Sequence, residues 1–115
     1  MAAQKLPHLT TPTELTTAKS QHRCIVIDAY ADWCGPCRTM APYFQALADT
    51  FATHIAFFKI DIGADDTDDT ARLADMLDIS SLPTFIFIRD GAVVGSVVGA
   101  DKARLEAGVR SLASA

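Results

Sequence analysis

The feature that most restricts the fold of this chain is the order of its strand-forming runs. Thr84 to Ile88 and Val93 to Val98 are joined through Asp90-Gly91, a pair that favours a tight turn between antiparallel strands. Two earlier runs, Cys24 to Ile27 and Ile55 to Ile60, are each followed by a helical pattern, which implies parallel crossovers. A chain with both kinds of connection is predicted to form a mixed β-sheet with helices on both faces, an α/β fold.

Helical patterns accompany these strands. Thr11-Pro12-Thr13-Glu14 has the form of a capping box and is predicted to begin a short helix that ends near Lys19. A longer helical pattern begins at Pro36 and contains Pro42, which we expect to kink the helix without ending it. Asp101 can cap the last helix. The apolar positions of the last three helices are Met40, Phe44, Leu47 and Phe51, then Leu73, Met76 and Leu77, and finally Leu105, Val109 and Leu112.

Length and composition place the chain among folded single domains. Its 115 residues are 50% apolar and 21% charged, enough for a core without metals or disulfides, which excludes a disordered or fibrous protein. No apolar run reaches the roughly 18 to 20 residues that cross a bilayer, and the N-terminus lacks an apolar stretch of signal-peptide length. We therefore expect residues 1–115 to form one soluble domain in the cytoplasm.

The charge of the chain is negative and unevenly distributed. A formal net charge of −4 argues against a nucleic-acid partner and against an anionic membrane surface. Asp61 to Asp78 holds seven Asp and one basic residue, Arg72, so the remainder of the chain is slightly positive. We expect Asp65 to Asp69 to be a solvated loop, and an electrostatic docking role for this run is the alternative.

The sequence Trp33-Cys34-Gly35-Pro36-Cys37 lies where a buried strand is followed by a helix. Residues three apart on a helix have Cβ atoms about 5 to 6 Å apart, so the two sulfurs can form and break a disulfide with little backbone movement. The free N–H groups of the helix start and the charge of Arg38 favour a thiolate at Cys34. Cys34 is therefore predicted to be the exposed nucleophile, and Cys37 the shielded thiol that resolves the mixed disulfide.

Two other interpretations of the cysteine pair remain open, a structural zinc site and a pair of core thiols. Structural zinc takes four ligands, and the chain has no second Cys-x-x-Cys or His-x-x-x-His pair. Cys24 is predicted to be a core residue, because free cysteine is among the most buried residue types and this one lies in a buried strand. An extended strand places it about 13 Å from Asp28, so it is also expected to be beyond disulfide reach of the motif. No role is predicted for His8, His22 and His54.

The motif and the residues around it resemble the thioredoxin family. The motif is complete, and further positions match the family in order along almost the whole chain. They are Asp28 before the motif, Ala41-Pro42 in the helix, Lys59 and Asp61 at the second strand, Leu82-Pro83-Thr84, Gly91 in the hairpin turn, and Gly99-Ala100 before the last helix. The resemblance implies a thioredoxin fold, a central mixed β-sheet flanked by helices on both faces, and reduction of disulfides in other proteins.

The resemblance also implies roles for individual residues. Asp28 would exchange a proton with Cys37 through a water, and Lys59 would be its charge partner, although each alone could be an ordinary strand-end residue. A cis bond before Pro83 would expose the backbone of Leu82 for pairing with an extended substrate. The other residues expected to bind substrate are Trp33, Gly35, Pro36, Gly99 and Ala100.

The resemblance further implies how the protein is used. Because the electrons reside on two sulfurs, no bound cofactor is expected. Thioredoxin reductase would regenerate the dithiol. The protein would be a monomer that takes part in electron transport and cell redox homeostasis. The main alternative is a thioredoxin-fold adaptor with an incidental redox pair, and another is an oxidase or isomerase of an exported compartment. The chain departs from the family at Ala29 and Tyr30, where two aromatics are usual, and in the longer acidic loop from Gly63 to Asp69.

Overall fold

The computed structural model describes residues 5–63 and 68–114, and in them a four-stranded sheet lies between two pairs of helices. In chain order the elements are α1 (Pro12–Gln21), β1 (Cys24–Tyr30), α2 (Gly35–Phe51), β2 (Ala56–Asp61), α3 (Asp68–Met76), β3 (Thr84–Arg89), β4 (Ala92–Val98) and α4 (Lys102–Ala113). The strand order is β2-β1-β3-β4, with β1 parallel to β2 and antiparallel to β3, and β3 antiparallel to β4. The predicted mixed sheet with its hairpin is confirmed, and α2 joins the parallel strands β1 and β2 as expected. The second predicted parallel crossover is wrong, because α3 leads into β3, which runs antiparallel to β1.

Strand β1 is buried on both faces because its alternate side chains enter two different cores. Cys24 and Val26 pack with buried residues of α2 and α4, whereas Ile25 and Ile27 pack with buried residues of α1 and α3. This explains why the strand lacks the polar and apolar alternation of a half-exposed sheet. The same alternation places Asp28 on the face that carries α2.

The core positions of the helices agree with the predicted patterns except at a few residues. In α2, Leu47 and Phe51 are only half-buried, and Ala48 is buried instead. Met76 is 49% exposed, so the prediction that it lies on the apolar face of α3 is wrong. Leu77 is buried, although it follows the last residue of that helix, because the chain turns back there toward β3. The three predicted positions of α4 are all buried.

Helix caps form where the sequence predicted them. The Thr11 side chain accepts a hydrogen bond from the backbone N–H of Glu14, and Asp101 accepts one from the N–H of Arg104. The Glu14 carboxylate accepts hydrogen bonds from the N–H and hydroxyl of Thr10, at 2.7 and 2.6 Å, which lower its pKa. The reciprocal half of the capping box is therefore made to the residue before the N-cap.

The N-terminal segment adds a short pairing that no sequence pattern indicated. Leu9 N–H donates to the Lys59 carbonyl at 2.9 Å, and Lys59 N–H donates to the Pro7 carbonyl at 3.0 Å. His8 forms an isolated parallel bridge with Lys59. This segment covers the edge of β2, which is the edge of the sheet opposite β4.

The acidic region is described only in part. Asp65 and Asp66, which belong to the predicted solvated loop, lie outside the described residues. Asp68 and Asp69 form the first turn of α3, so the prediction that the loop extends to Asp69 is wrong. Negative charge in this turn interacts favourably with the helix dipole. None of the helices in the described ranges combines the length and the apolar composition that a membrane crossing requires.

Candidate redox site

The cysteine motif occupies the junction between the central strand and the longest helix. β1 ends at Tyr30, a short turn follows, and Cys34 is the N-cap of α2. Pro36 stands in the first turn of the helix, where its missing N–H leaves no hydrogen bond unmade. The Cα atoms of Cys34 and Cys37 are 5.2 Å apart and their Sγ atoms are joined as a disulfide. The strand and the helix start therefore place the two sulfurs within bonding reach.

Donors and positive charge at the helix start are directed toward Cys34. The backbone N–H of Cys37 donates to Cys34 Sγ at 3.2 Å. Arg38 Nη1 donates to the Asp32 carbonyl at 2.8 Å, which holds the guanidinium against the turn that precedes Cys34. In the dithiol both features favour a thiolate at Cys34 over one at Cys37.

The exposure of the two cysteines differs less than the sequence predicted. Cys34 is 7% exposed and Cys37 is 3% exposed, so the expectation of an exposed Cys34 is wrong for this disulfide form. The two residues pack with Ala31, and Tyr30 and Leu82 lie against this cluster. Both cysteines are therefore shielded from solvent in the disulfide form.

Asp28 is a buried carboxyl group on the α2 side of the sheet. The residue is 2% exposed, and its Oδ1 has no hydrogen-bond partner among the described residues. Loss of hydration raises the pKa of Asp28 from 3.8 to about 6, and the positive charge of Lys59 opposes this rise. Asp28 therefore gains or loses its proton closer to neutral pH than an ordinary aspartate does.

Lys59 lies beside Asp28 but does not form a direct ion pair with it. The two residues are aligned in the parallel pairing of β1 with β2, so their side chains leave the same face. The Lys59 ammonium lies 4.4 Å from the centroid of the Tyr30 ring, and the two ion pairs found in the described part of the chain involve other residues. Lys59 therefore acts on Asp28 through its charge at longer range.

Tyr30 and His8 are site residues that the sequence did not reveal. His8 Nε2 and the Tyr30 hydroxyl are hydrogen-bonded at 2.8 Å. Burial, together with the nearby carboxylates of Asp61, Asp32 and Asp28, raises the pKa of Tyr30 to about 12. Tyr30 is thus a neutral hydroxyl at physiological pH. The two residues are 22 positions apart, so only the pairing of the N-terminal segment with β2 brings them together.

The residues predicted to bind substrate lie on the turn into α2, in the first turn of that helix, and on the loops before β3 and before α4. The Leu82–Pro83 bond is cis, as expected, and Leu82 packs against the cysteine cluster. Gly99 N–H donates to the Pro83 carbonyl at 2.8 Å, which ties the loop before α4 to the loop before β3. Trp33 is 72% exposed beside the motif. The remaining members of the set, Gly35, Pro36 and Ala100, are exposed as well.

Trp33 rests on the backbone at the end of β2. A Cβ atom added to Gly63 would lie 2.6 Å from Trp33 Nε1 and 2.7 Å from Ala31 Cβ, so only glycine permits this approach. The indole therefore packs against Gly63, although most of its surface is exposed to solvent. The sequence did not indicate Gly63 as part of the site, because the contact joins two loops that are distant along the chain.

The third cysteine does not extend the site. Cys24 is a free, buried thiol in the core formed with α2 and α4, and its Sγ lies 4.0 Å from the Leu112 carbonyl. This confirms its prediction as a core residue. Within residues 5–63 and 68–114, no three His, Cys, Asp or Glu side chains are grouped so that they could hold a metal ion.

Comparison with known proteins decides the family. Residues 8–111 match the sequence model of the thioredoxin family. The chain belongs to the thioredoxin family. It is 42% identical over 94 residues to thioredoxin H4 of Arabidopsis thaliana, an alignment that covers 82% of this chain and 75% of the relative. An H-type thioredoxin of Picea mariana is 41% identical over 103 residues, covering 90% of this chain and 78% of that one.

Solved thioredoxin structures share the fold. The oxidised form of mitochondrial thioredoxin 3 from Saccharomyces cerevisiae superposes with a TM-score of 0.84, at 33% sequence identity, covering 93% of this chain and 95% of that one. Together with the joined sulfurs of Cys34 and Cys37, membership of the thioredoxin family makes this protein a thiol–disulfide oxidoreductase that reduces protein disulfides.

Proposed function

We propose that Cys34 is the attacking thiolate and that Cys37, assisted by Asp28, resolves the mixed disulfide. The observation that carries this order is the hydrogen bond from the Cys37 N–H to Cys34 Sγ, at the N-terminus of a 17-residue helix. It stabilises negative charge on one sulfur of the pair and not on the other. Trp33, exposed beside Cys34, offers a surface on which a protein substrate docks.

The proposed reaction transfers two electrons from the dithiol to the substrate. Cys34 Sγ attacks one sulfur of the substrate disulfide, the substrate S–S bond breaks, and the leaving thiolate takes a proton from solvent. Cys37 then loses its proton to the Asp28 carboxylate and its Sγ attacks Cys34 Sγ. The mixed disulfide breaks, the second substrate sulfur leaves as a thiolate and takes up a proton, and Cys34 and Cys37 are left joined as in this structure.

Burial of Asp28 supports its role as the base. A carboxyl with a pKa of about 6 is mostly ionised at pH 7, and it is a stronger base than an ordinary aspartate with a pKa of 3.8. The alternation of β1 directs it toward the helix that carries Cys37. Lys59, which is aligned with Asp28 on β2, limits the rise of the Asp28 pKa and so keeps the Asp28 carboxyl ionised at neutral pH.

We also propose that thioredoxin reductase regenerates the dithiol and that the protein works as a cytoplasmic monomer in electron transport and redox homeostasis. Family membership supports a reductase partner, because the disulfide left by each cycle has to be reduced again. The net charge of −4 supports the absence of nucleic-acid and anionic-membrane partners.

A trapping experiment with three serine variants tests the order of attack. Cys37→Ser keeps the attacking thiolate and loses the resolving thiol, so it is expected to accumulate mixed disulfides when cell extract is passed over it. Cys34→Ser is expected to trap nothing, and both variants are expected to lose catalytic reduction of insulin. Cys24→Ser, which leaves the redox pair intact, is the matched control and is expected to reduce insulin normally without trapping partners.

The pattern of trapping distinguishes the alternatives. Non-reducing gels show which variant carries partners, and mass spectrometry identifies them. If Cys34→Ser traps partners and Cys37→Ser does not, the assigned roles are reversed. If neither variant traps partners and the unaltered protein does not reduce insulin, the adaptor interpretation of the motif is favoured.

A further inference from the structure

A second concave site lies away from the cysteine motif, between α4 and the hairpin formed by β3 and β4. It is a cavity of about 300 Å³. Its polar lining includes Arg89 and Arg104, together with the hydroxyl-bearing residues Ser96 and Ser111. Its apolar lining includes Phe87 and Leu112. Among the described residues that line it, none is an Asp or a Glu.

The two arginines of this cavity have no anionic partners in the described part of the chain. The ion pairs found there are Arg23 with Asp90 and Arg110 with Glu106. Arg89 Nε is buried and has no hydrogen-bond partner among the described residues. A buried donor without a partner loses its hydration and gains nothing in return, so an oxygen ligand at this place would lower the free energy of the folded state.

We propose that this cavity binds a small organic phosphate monoester. A phosphate monoester carries a charge of about −2 above pH 6, which matches two guanidinium groups, whereas a monocarboxylate matches only one. Its oxygens can accept from Arg89, Arg104 and the serine hydroxyls. The cavity is larger than a phosphate group alone, and the ring of Phe87 and the side chain of Leu112 offer an apolar wall to the organic part.

The negative net charge of the chain means that an anion would bind this cavity only through local contacts. The protein as a whole has a net charge of −4, so its long-range field repels anions. Binding of an anion here therefore depends on direct contact with the two guanidinium groups. We expect it to be abolished when their charges are removed, and to be insensitive to removal of basic residues elsewhere.

The cavity is distinct from the redox site. Arg89 is aligned with Cys24, at the start of β1, whereas Thr84 is aligned with Ala29 near its end. Arg89 is five residues from Thr84 along β3, a distance of about 17 Å in an extended strand. A ligand at Arg89 therefore leaves the surface around Trp33 free, and the oxidised protein is suitable for measuring its binding.

Titration of the oxidised, ¹⁵N-labelled protein with phenyl phosphate at pH 7.5 tests the proposal. We expect saturable changes in amide chemical shifts confined to β3, β4 and α4, and no saturable change with phenol, which has the ring without the anion. Inorganic phosphate is expected to bind at the same amides but at least about threefold more weakly, because it makes no contact with the apolar wall.

Three variants assign the binding to the two arginines. Arg104 lies on the exposed surface of α4, so the Arg104→Gln variant is expected to fold normally. It is expected to bind phenyl phosphate about tenfold or more weakly than the unaltered protein does. Arg89→Gln is expected to do the same, and its spectrum without ligand reports whether it folds. Arg72→Gln, which removes an exposed arginine from α3 on the other face of the sheet, is the matched control and is expected to bind as the unaltered protein does.

The proposal is overturned if Arg104→Gln binds phenyl phosphate as tightly as the unaltered protein does. It is also overturned if the shifts lie outside β3, β4 and α4, if phenol produces the same shifts, or if no saturation occurs. Because none of these measurements uses disulfide reduction, their outcome is independent of the roles proposed for Cys34, Cys37 and Asp28.

Discussion

At the scale of single residues, the chemistry of the redox site depends on a carboxyl group that β1 holds away from water. Asp28 interrupts a strand whose other residues before Tyr30 are apolar and buried, and its Oδ1 has no partner to replace the lost hydration. The pKa of about 6 follows from that position, and the charge of Lys59 limits the shift. One side chain therefore affects both the reaction and the stability of the fold, and each effect can be measured.

The kinetic effect is tested by Asp28→Asn. This variant should release substrate from the mixed disulfide more than tenfold more slowly than the unaltered protein at pH 7, because Cys37 loses its base. At pH 9.5 the difference should be small, since hydroxide and bulk solvent deprotonate Cys37 without help. Single-turnover kinetics with a peptide disulfide provide the two rates. An equal loss at both pH values would show that Asp28 is structural only.

The ionised Asp28 carboxylate assists the reaction, but its burial lowers the stability of the fold. Because its pKa in the fold, about 6, lies above the ordinary 3.8, Asp28 binds its proton more tightly in the folded protein than in the unfolded chain. Its contribution is therefore most favourable below pH 4, and stability is lost as the pH rises through 6. The loss amounts to about 3 kcal/mol when complete, taking about 1.4 kcal/mol for each pKa unit.

Asp28→Asn removes this pH-dependent cost. The free energy of unfolding of the variant, relative to the unaltered protein, should increase by about 2.4 kcal/mol between pH 4 and pH 8. Urea denaturation of the two oxidised proteins across this range measures the difference. Asp75→Asn, an exposed carboxylate of α3, is the control and should show no such trend. A difference that stays constant with pH would contradict the burial argument.

At the scale of elements, α4 approaches β3 so closely that a helical position has to be glycine. A Cβ atom at Gly108 would collide with three atoms of the Phe87 ring, Cζ, Cε1 and Cε2. In the middle of a helix, alanine ordinarily stabilises the helical conformation by about 1 kcal/mol relative to glycine. Here the collision should outweigh that gain, because a packed aromatic ring between a helix and a sheet has little room to move.

Gly108→Ala tests this packing. We expect the variant to unfold with a free energy about 1 to 3 kcal/mol lower than the unaltered protein, as overpacked cores do. In the background of Phe87→Leu the same change should be neutral or stabilising, because the ring atoms that it meets are absent. Denaturant melts of the four proteins of this cycle measure the coupling. A destabilisation that is the same in both backgrounds would show that the ring is not its cause.

The elements that the sequence predicted are those with a local signal. β1, α2 and the hairpin could be found because a β-branched run, a helical stripe and Asp90-Gly91 each lie within one segment. Pro42 stands inside α2 without ending it, as expected. The cysteine motif likewise lies within five residues, so its chemistry could be inferred from the sequence alone.

The features that were missed depend on contacts between distant segments. The His8 bond to Tyr30 and the bridge of the N-terminal segment to β2 leave no pattern in the sequence, because neither follows from local periodicity. The exposure of Met76 depends on where α3 ends and turns toward β3, which helical spacing alone does not determine. The cavity with Arg89 and Arg104 requires the packing of α4 on the hairpin.

At the scale of the whole molecule, charge is separated along the chain. The stretch from Asp61 to Asp78 holds seven Asp, and the rest of the chain carries a small positive excess. Such an arrangement attracts a basic partner to one region by an interaction that salt screens over about 10 Å at 0.1 M. If the acidic run takes part in docking, which is the alternative to a solvated loop, we expect substrate choice to depend on ionic strength.

Replacing Asp65, Asp66, Asp68 and Asp69 with Asn tests this effect. The variant should reduce a basic protein disulfide several-fold more slowly than the unaltered protein at 10 mM salt, and equally fast at 500 mM. Reduction of an acidic protein disulfide is the control and should not be slowed. An unchanged rate for the basic substrate at low salt would show that these residues are simply solvated.

Only one edge of the sheet is covered against backbone pairing with another molecule, and this limits how many copies of the protein can pair edge to edge. The N-terminal segment already pairs with β2, whereas β4, with the sequence Ala-Val-Val-Gly-Ser-Val-Val, ends the sheet without a charged residue or a proline. Two copies that met along β4 would form one continuous sheet whose outer edges were both covered. Growth by edge pairing would then stop at two chains, whereas loss of the N-terminal segment would uncover β2 and allow pairing at both edges of the sheet.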